Sequence, residues 1–270
     1  MTSPNNPTHS PTAGEKATLI KQLKLLGMRA FEDERLDEFL ADARKLKWTP
    51  WQILSNLAVR EITEREHRSL CRRLRDSKIR EFRRMVDFDW NWAEAIDRPQ
   101  IETLVEADFV NSAENLILIG TPGLGKTMIA KNIIHNAIYN GHTALFIEAA
   151  DMLTDLNTQD SARALERRIR HYCKPGLLCI DEIGYLSYDQ RAADFLYQII
   201  SRRYEKKSVI VTTNLPFSEW PTVFPGASSV ASLIDRLIHH SEVSLIRGKS
   251  YREKTAKKNK AAQQKKRGKK

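Results

Sequence analysis

Gly120-Thr121-Pro122-Gly123-Leu124-Gly125-Lys126-Thr127 fills the pattern G-x-x-x-x-G-K-[ST] at every fixed position. An apolar run, Leu116-Ile117-Leu118-Ile119, precedes it, and a helical stretch over 128–140 follows. Strand, loop and helix in that order form the setting in which such a loop cradles phosphate. The glycines let the backbone curl so that its N–H groups point inward, and the helix adds the positive end of its dipole. Lys126 is then placed to reach the β- and γ-phosphates and the Thr127 hydroxyl to ligate Mg²⁺, so ATP and Mg²⁺ are the expected cofactors.

Outward from this loop, apolar strand-like runs at 116–119, 143–148, 177–181, 208–213 and 242–246 alternate with helical patterns. Strands that are near-continuous apolar runs, separated by helices, imply a parallel sheet covered on both faces, an α/β domain in three layers. The third run, Leu177-Leu178-Cys179-Ile180-Asp181-Glu182, ends in two acids. At the carboxyl edge of such a sheet, where ligands bind, Asp181 is positioned to hold Mg²⁺ and Glu182 to orient and polarise an attacking water. A phosphate-transferring kinase needs an acceptor pocket and often a lid, neither of which is legible. A carboxylate next to the magnesium ligand points instead to water as acceptor, hence ATP hydrolysis. The fourth run ends Val211-Thr212-Thr213-Asn214, and if it lies between the first and third, Asn214 comes near the γ-phosphate.

Downstream, Leu233-Ile234-Asp235-Arg236-Leu237-Ile238-His239-His240 sets an arginine on an otherwise apolar helix. Arg236 either pairs with Asp235 or Glu242 or serves as an arginine finger for a neighbouring subunit. His239 and His240 are adjacent, and side chains one residue apart on a helix point in different directions, so no metal site is expected there.

The 270 residues suffice for one large or two modest domains, and no run approaches a membrane span. With no signal-peptide layout either, the expected location is the cytoplasm, with no membrane partner. Cys71, Cys173 and Cys179 lack C-x-x-C spacing and imply neither zinc nor a disulfide. Of the formal net charge of +10, residues 253–270 carry +8. Lys254, Lys257, Lys258, Lys260, Lys265 and Lys266 make this a disordered, Lys-rich tail and a candidate DNA contact.

The first 14 residues, with three prolines and no apolar period, read as a disordered arm. A small all-helical domain over 15–95 follows, then the nucleotide domain over 96–252. Trp48-Thr49-Pro50-Trp51-Gln52-Ile53 has the best helix start in the chain, with Thr49 and Gln52 as a capping box, Pro50 in the first turn and a Trp48–Ile53 staple. Between Arg60 and Arg84, ten Lys/Arg stand against five Asp/Glu, which suits a solvated face or a face for DNA or a partner.

Taken together, Asp181-Glu182-Ile183-Gly184-Tyr185, Arg203-Tyr204-Glu205, Thr212-Thr213-Asn214, the run 235–240 and Gly248-Lys249-Ser250-Tyr251-Arg252, in this order after the phosphate loop, closely resemble the IstB family, ATP-binding helpers of insertion-sequence transposition. The resemblance covers about residues 15–252, including Leu23-Lys24-Leu25-Leu26-Gly27-Met28. It implies an AAA+ ATPase of the initiator and loader clade with sheet order 5-1-4-3-2 and Asn214 as the γ-phosphate sensor. It also implies Arg236 as a finger acting in trans and Arg252 as a second sensor acting in cis. The implied partners are duplex DNA, a cognate transposase, contacted through the N-terminal helical domain, and further copies of the chain in an ATP-dependent oligomer. The segment 221–229 departs from the family, whose members usually carry a Gly-Asp pair after the Phe. A DnaC-like helicase loader shares most of the ATPase motifs and is the alternative within the same chemistry. A nucleotide-gated DNA binder without turnover and a small-molecule kinase are the alternatives outside it.

Overall fold

The computed structural model describes residues 12–32, 34–185 and 188–251. Arg252 and the lysines of the tail therefore lie outside the described residues, as do the first 11 positions. The chain divides into two compact units, Met1–Cys71 and Arg72–Lys270.

The first unit holds α1 (Ala13–Leu25), α2 (Glu34–Lys45) and most of α3 (Pro50–Asp76). α1 begins inside the stretch expected to be an arm, because Thr12 and Glu15 form a capping box: the Glu15 carboxylate accepts from the Thr12 N–H at 2.8 Å. α3 starts as its sequence predicts. Thr49 N–H donates to Gln52 Oε1 at 2.8 Å and Gln52 N–H to Thr49 Oγ1 at 3.3 Å. Phe31, Leu36 and Phe39 form a small core, with Trp48, Ile53 and Leu57 packed on it.

Within the mixed-charge run, Glu61 is no surface residue: it is 4% exposed. Its carboxylate accepts from the backbone N–H groups of Arg29 at 2.8 Å and Ala30 at 2.9 Å, and from the guanidinium groups of Arg65 and Arg68. Burial pulls its pKa up, but the hydrogen bonds from Ala30, Arg65 and Arg29 outweigh that and hold the carboxyl below its usual value.

The second unit continues with α4 (Arg98–Val105), β1 (Asn115–Gly120), α5 (Lys126–Tyr139), β2 (Ala144–Glu148), α6 (Ala149–Asn157), α7 (Ala162–Cys173) and β3 (Leu177–Ile183). It closes with α8 (Gln190–Arg203), β4 (Ser208–Thr213), α9 (Trp220–Val223), α10 (Ser229–Ile238) and β5 (Ser241–Ile246). The five strands form one parallel sheet in the order β2-β3-β4-β1-β5. Read from the other edge this is 5-1-4-3-2, the expected AAA+ order, with β4 between β1 and β3.

Alternate strand residues serve opposite layers. Ile117, Leu178, Ile180, Val209 and Val211 pack with residues of α6, α7, α8 and α10 in one core. α5 lies on β1 to β4 and buries Ile129, Ala130, Ile133, Ile134 and Ala137. Ser161 and Asp189 cap α7 and α8 through their side chains, and Gly141, at φ 97°, follows the end of α5. No helix among the described residues is long and apolar enough to cross a membrane.

Candidate nucleotide site

The glycine-rich loop spans the gap between the carboxyl end of β1 and the first turn of α5. Gly123 and Gly125 take φ of 85° and 89°, the left-handed region that favours glycine. A Cβ at Gly125 would also come within 2.6 Å of the Phe88 ring, so no other residue fits there without displacing that ring. Lys126 Nζ donates to the carbonyl oxygens of Gly120 at 2.5 Å and Thr121 at 3.1 Å. Its ammonium thus lies under the same loop whose amides would receive phosphate.

The two acids reach the site through a break in the sheet. Along the β3–β4 ladder Ile180 pairs with Val211, but Ile183 pairs with Thr213, so Asp181 and Glu182 together face Thr212. This is a β-bulge, one extra residue on β3. In a regular strand consecutive side chains point to opposite faces. Here Glu182 adopts φ 61°, uncommon for a residue with a side chain, and both acids come to the carboxyl edge.

Thr212 fixes the bulge from the neighbouring strand: its Oγ1 donates to Asp181 Oδ1 at 2.6 Å and accepts the Glu182 backbone N–H at 2.8 Å. Asp181 is 2% exposed and also accepts from Thr127 Oγ1 at 3.0 Å. Burial raises its pKa, and the Thr212 and Thr127 hydroxyls offset part of that rise.

Around these groups lies a cavity of about 900 Å³, lined by Pro122, Gly123, Gly125, Lys126, Thr127, Glu182 and Asn214 on the loop and strand side. Glu81, Phe82, Arg83, Met128, Lys131, Tyr185 and Tyr251 complete its walls. The volume suits a nucleoside triphosphate. Asn214 is thus brought to the same cavity as Lys126 and Glu182. Tyr251 is tied to the loop by its N–H, which donates to Gly123 O at 3.1 Å.

Phe82, Arg83 and Lys131 were not singled out by sequence. The wall containing Phe82 and Arg83 is held by Asn132 of α5, a buried amide. Its Oδ1 accepts the Met85 N–H at 3.1 Å, and its Nδ2 donates to Arg83 O at 2.9 Å. An asparagine inside a helix carries no local signal for such a long-range clamp.

Arg236 does not line the cavity. Its guanidinium lies over the ring of Tyr197 at 4.8 Å and near that of Tyr204 at 6.0 Å, in place of the pairing with Asp235 or Glu242 that the sequence allows. The atypical segment 221–229 leads into α10 anchored at two buried residues, Val223 and Phe224, with Pro221, Thr222, Pro225, Gly226 and Ser228 exposed. Phe224 is buried and stacks on Tyr188, and Ser229 Oγ donates to Asp194 at 2.8 Å.

His239 and His240 do not diverge as adjacent residues on a helix would. α10 ends at Ile238, and past that end the two rings meet edge to face at 4.1 Å, beside Glu205.

Residues 18–260 match the family model described as IstB-like ATP binding protein. A Geobacillus stearothermophilus protein described as an ATP-binding protein of insertion sequence IS5376 is 36% identical over 202 residues, covering 74% of this chain and 80% of that one. A Pseudomonas aeruginosa protein so described for insertion sequence IS21 is 31% identical over 244 residues, 90% of this chain and 91% of its own. Among solved structures, DnaI superposes with a TM-score of 0.50 at 19% identity, covering 64% of this chain and 90% of that one, a likeness of fold. With the phosphate loop, the paired acids and the AAA+ strand order in place, the chain belongs to the IstB-like ATP binding protein family.

Proposed function

We propose that the chain binds ATP with Mg²⁺ in the 900 Å³ cavity, hydrolyses it, and uses the cycle to control a homo-oligomer on duplex DNA that recruits and stimulates a transposase. The observation that carries the hydrolytic reading is the bulge, which sets Glu182 in the cavity wall one residue from the buried Asp181. A pure nucleotide sensor has no need of a strained carboxylate there.

The donor set fits Mg²⁺: a carboxylate and a hydroxyl already in contact, Asp181 and Thr127, both hard oxygen ligands. The ion, when bound, neutralises charge on the β- and γ-phosphates. Lys126 and the loop amides from 120–127 hold the phosphates, Glu182 orients the attacking water and takes up its proton, and Asn214 senses the γ-phosphate. Arg236, outside its own cavity, serves the site of a neighbouring copy, and Arg252 acts in cis. The relatives' place in insertion sequences supports a transposase as the partner.

The test is ATPase activity against chain concentration, with and without duplex DNA, followed by mixing Lys126→Ala with Arg236→Ala. The rate per chain is expected to rise with concentration and with DNA. Each variant alone should be inactive, and the mixture should recover activity, because Lys126→Ala chains supply the arginine that Arg236→Ala sites lack. Full activity of Arg236→Ala alone would remove the shared site.

A further inference from the structure

The carboxyl ends of α8 and α10 bring together three side chains of metal-ligating type, none of which lines the nucleotide cavity: Glu205, His239 and His240. One ligand atom from each lies within 4.8 Å of the others. Two of these atoms, His240 Nε2 and Glu205 Oε1, are 3.2 Å apart. That is already the separation of two ligand atoms at a tetrahedral Zn²⁺, about 3.3 Å for bonds near 2.05 Å. All three side chains are exposed, so an ion has open access and the remaining distance closes by side-chain rotation.

The backbones beneath them are fixed. His240 O accepts the Asn115 N–H at 2.7 Å, and the turn at Glu205 is closed by Lys206 and Lys207 N–H groups on Arg203 O, both at 2.9 Å. His239 has its own orienting partner, the Tyr204 hydroxyl 2.6 Å from Nδ1. An oxygen on one ring nitrogen, leaving the other to the metal, is the second-shell arrangement of ligating histidines.

We infer that Glu205, His239 and His240 form a site for a borderline divalent transition ion such as Zn²⁺, with a fourth position open to water. The ion takes the place of the proton between His240 Nε2 and Glu205, and that proton leaves to Nδ1 or to buffer. The bound ion joins the end of α8 to the end of α10, next to the Tyr204 ring, whose centroid is 6.0 Å from the Arg236 guanidinium. This inference stands independently of the nucleotide cycle proposed above.

Full-length, tag-free protein stripped with chelator and dialysed is titrated with ZnCl₂ against a zinc indicator, and with CoCl₂ followed by visible absorption. One ion per chain is expected, with cobalt d–d bands of a nitrogen and oxygen site and a thermal midpoint that rises with zinc. His239→Ala, His240→Ala and Glu205→Gln should each weaken zinc binding by tenfold or more and abolish the rise. Cys71→Ser should leave both unchanged, which separates this site from the exposed Cys71–His67 pair, 3.6 Å apart. Absence of stoichiometric zinc, equal binding by the His239→Ala/His240→Ala double variant, or a thiolate-to-cobalt band in the near ultraviolet would each overturn the assignment. The cobalt spectrum reads the wild-type chain and does not depend on any variant folding.

Discussion

The Thr212 hydroxyl accepts the backbone N–H of Glu182 at 2.8 Å, and by donating to Asp181 at 2.6 Å it links both acids of β3 to one side chain of β4. It supports the left-handed backbone of Glu182, a conformation that costs of order 1–3 kcal/mol unless its surroundings hold it. Replacing Thr212 with Val keeps the shape but leaves the partly buried Glu182 N–H and the Asp181 carboxylate each short of a partner. We expect Thr212→Val to lower kcat about tenfold or more, equivalent to ~1.4 kcal/mol or above, with a small change in KM for ATP, and Thr212→Ser to restore most of the rate. Steady-state kinetics on the three proteins checks this.

Asp181 makes an opposite prediction for stability and for function. Burial raises its folded-state pKa above the ordinary carboxylate value. Its contribution to stability is therefore fully present below the unfolded value and is lost as pH rises through the folded one. At neutral pH an ionised Asp181 without Mg²⁺ is a liability. Asp181→Asn should raise the melting temperature of nucleotide-free protein at pH 7, with the difference shrinking toward acid. It should also remove the stabilisation that Mg²⁺-ATP gives the wild type. Differential scanning fluorimetry across pH measures both.

Glu61 has the other sign. Its folded-state pKa is lowered, so the stability it supplies is present above the usual value of 4.5 and is lost as pH falls through the folded value. Glu61→Gln weakens the acceptor for two backbone N–H groups, takes the carboxylate partner from Arg65 and leaves Arg68 with Glu64 alone. A loss of about 2 kcal/mol is expected for the first unit at pH 7, narrowing below pH 4.5. Urea titrations at pH 7 and pH 4 check the difference.

What could be read in the chain beforehand was what local chemistry dictates. The Thr49–Gln52 capping box, the strand runs and the phosphate loop are patterns of neighbours, and each formed where expected. Asp181 and Glu182 were identifiable as acids after an apolar run, yet not how both could serve one site. That depends on an unequal pairing with Thr212, 30 residues from Glu182 along the chain. Asn132 and Glu61 escaped for the same reason: a polar residue on a helical pattern looks solvated until its partners arrive from elsewhere. For His239 and His240, backbone spacing was a poor guide: His239 caps α10 with helical torsions, and its ring still meets that of His240 at 4.1 Å through the side chains at the helix end. The sheet order itself came from resemblance and not from periodicity.

The central claim is that Glu182 makes this site a hydrolase. Single-turnover hydrolysis of radiolabelled ATP by Glu182→Gln, with nucleotide binding measured in parallel, tests it most directly. The account predicts that ATP is bound about as tightly as by the wild type while the hydrolysis step falls by roughly 10²–10⁴-fold. Hydrolysis at the wild-type rate would contradict it.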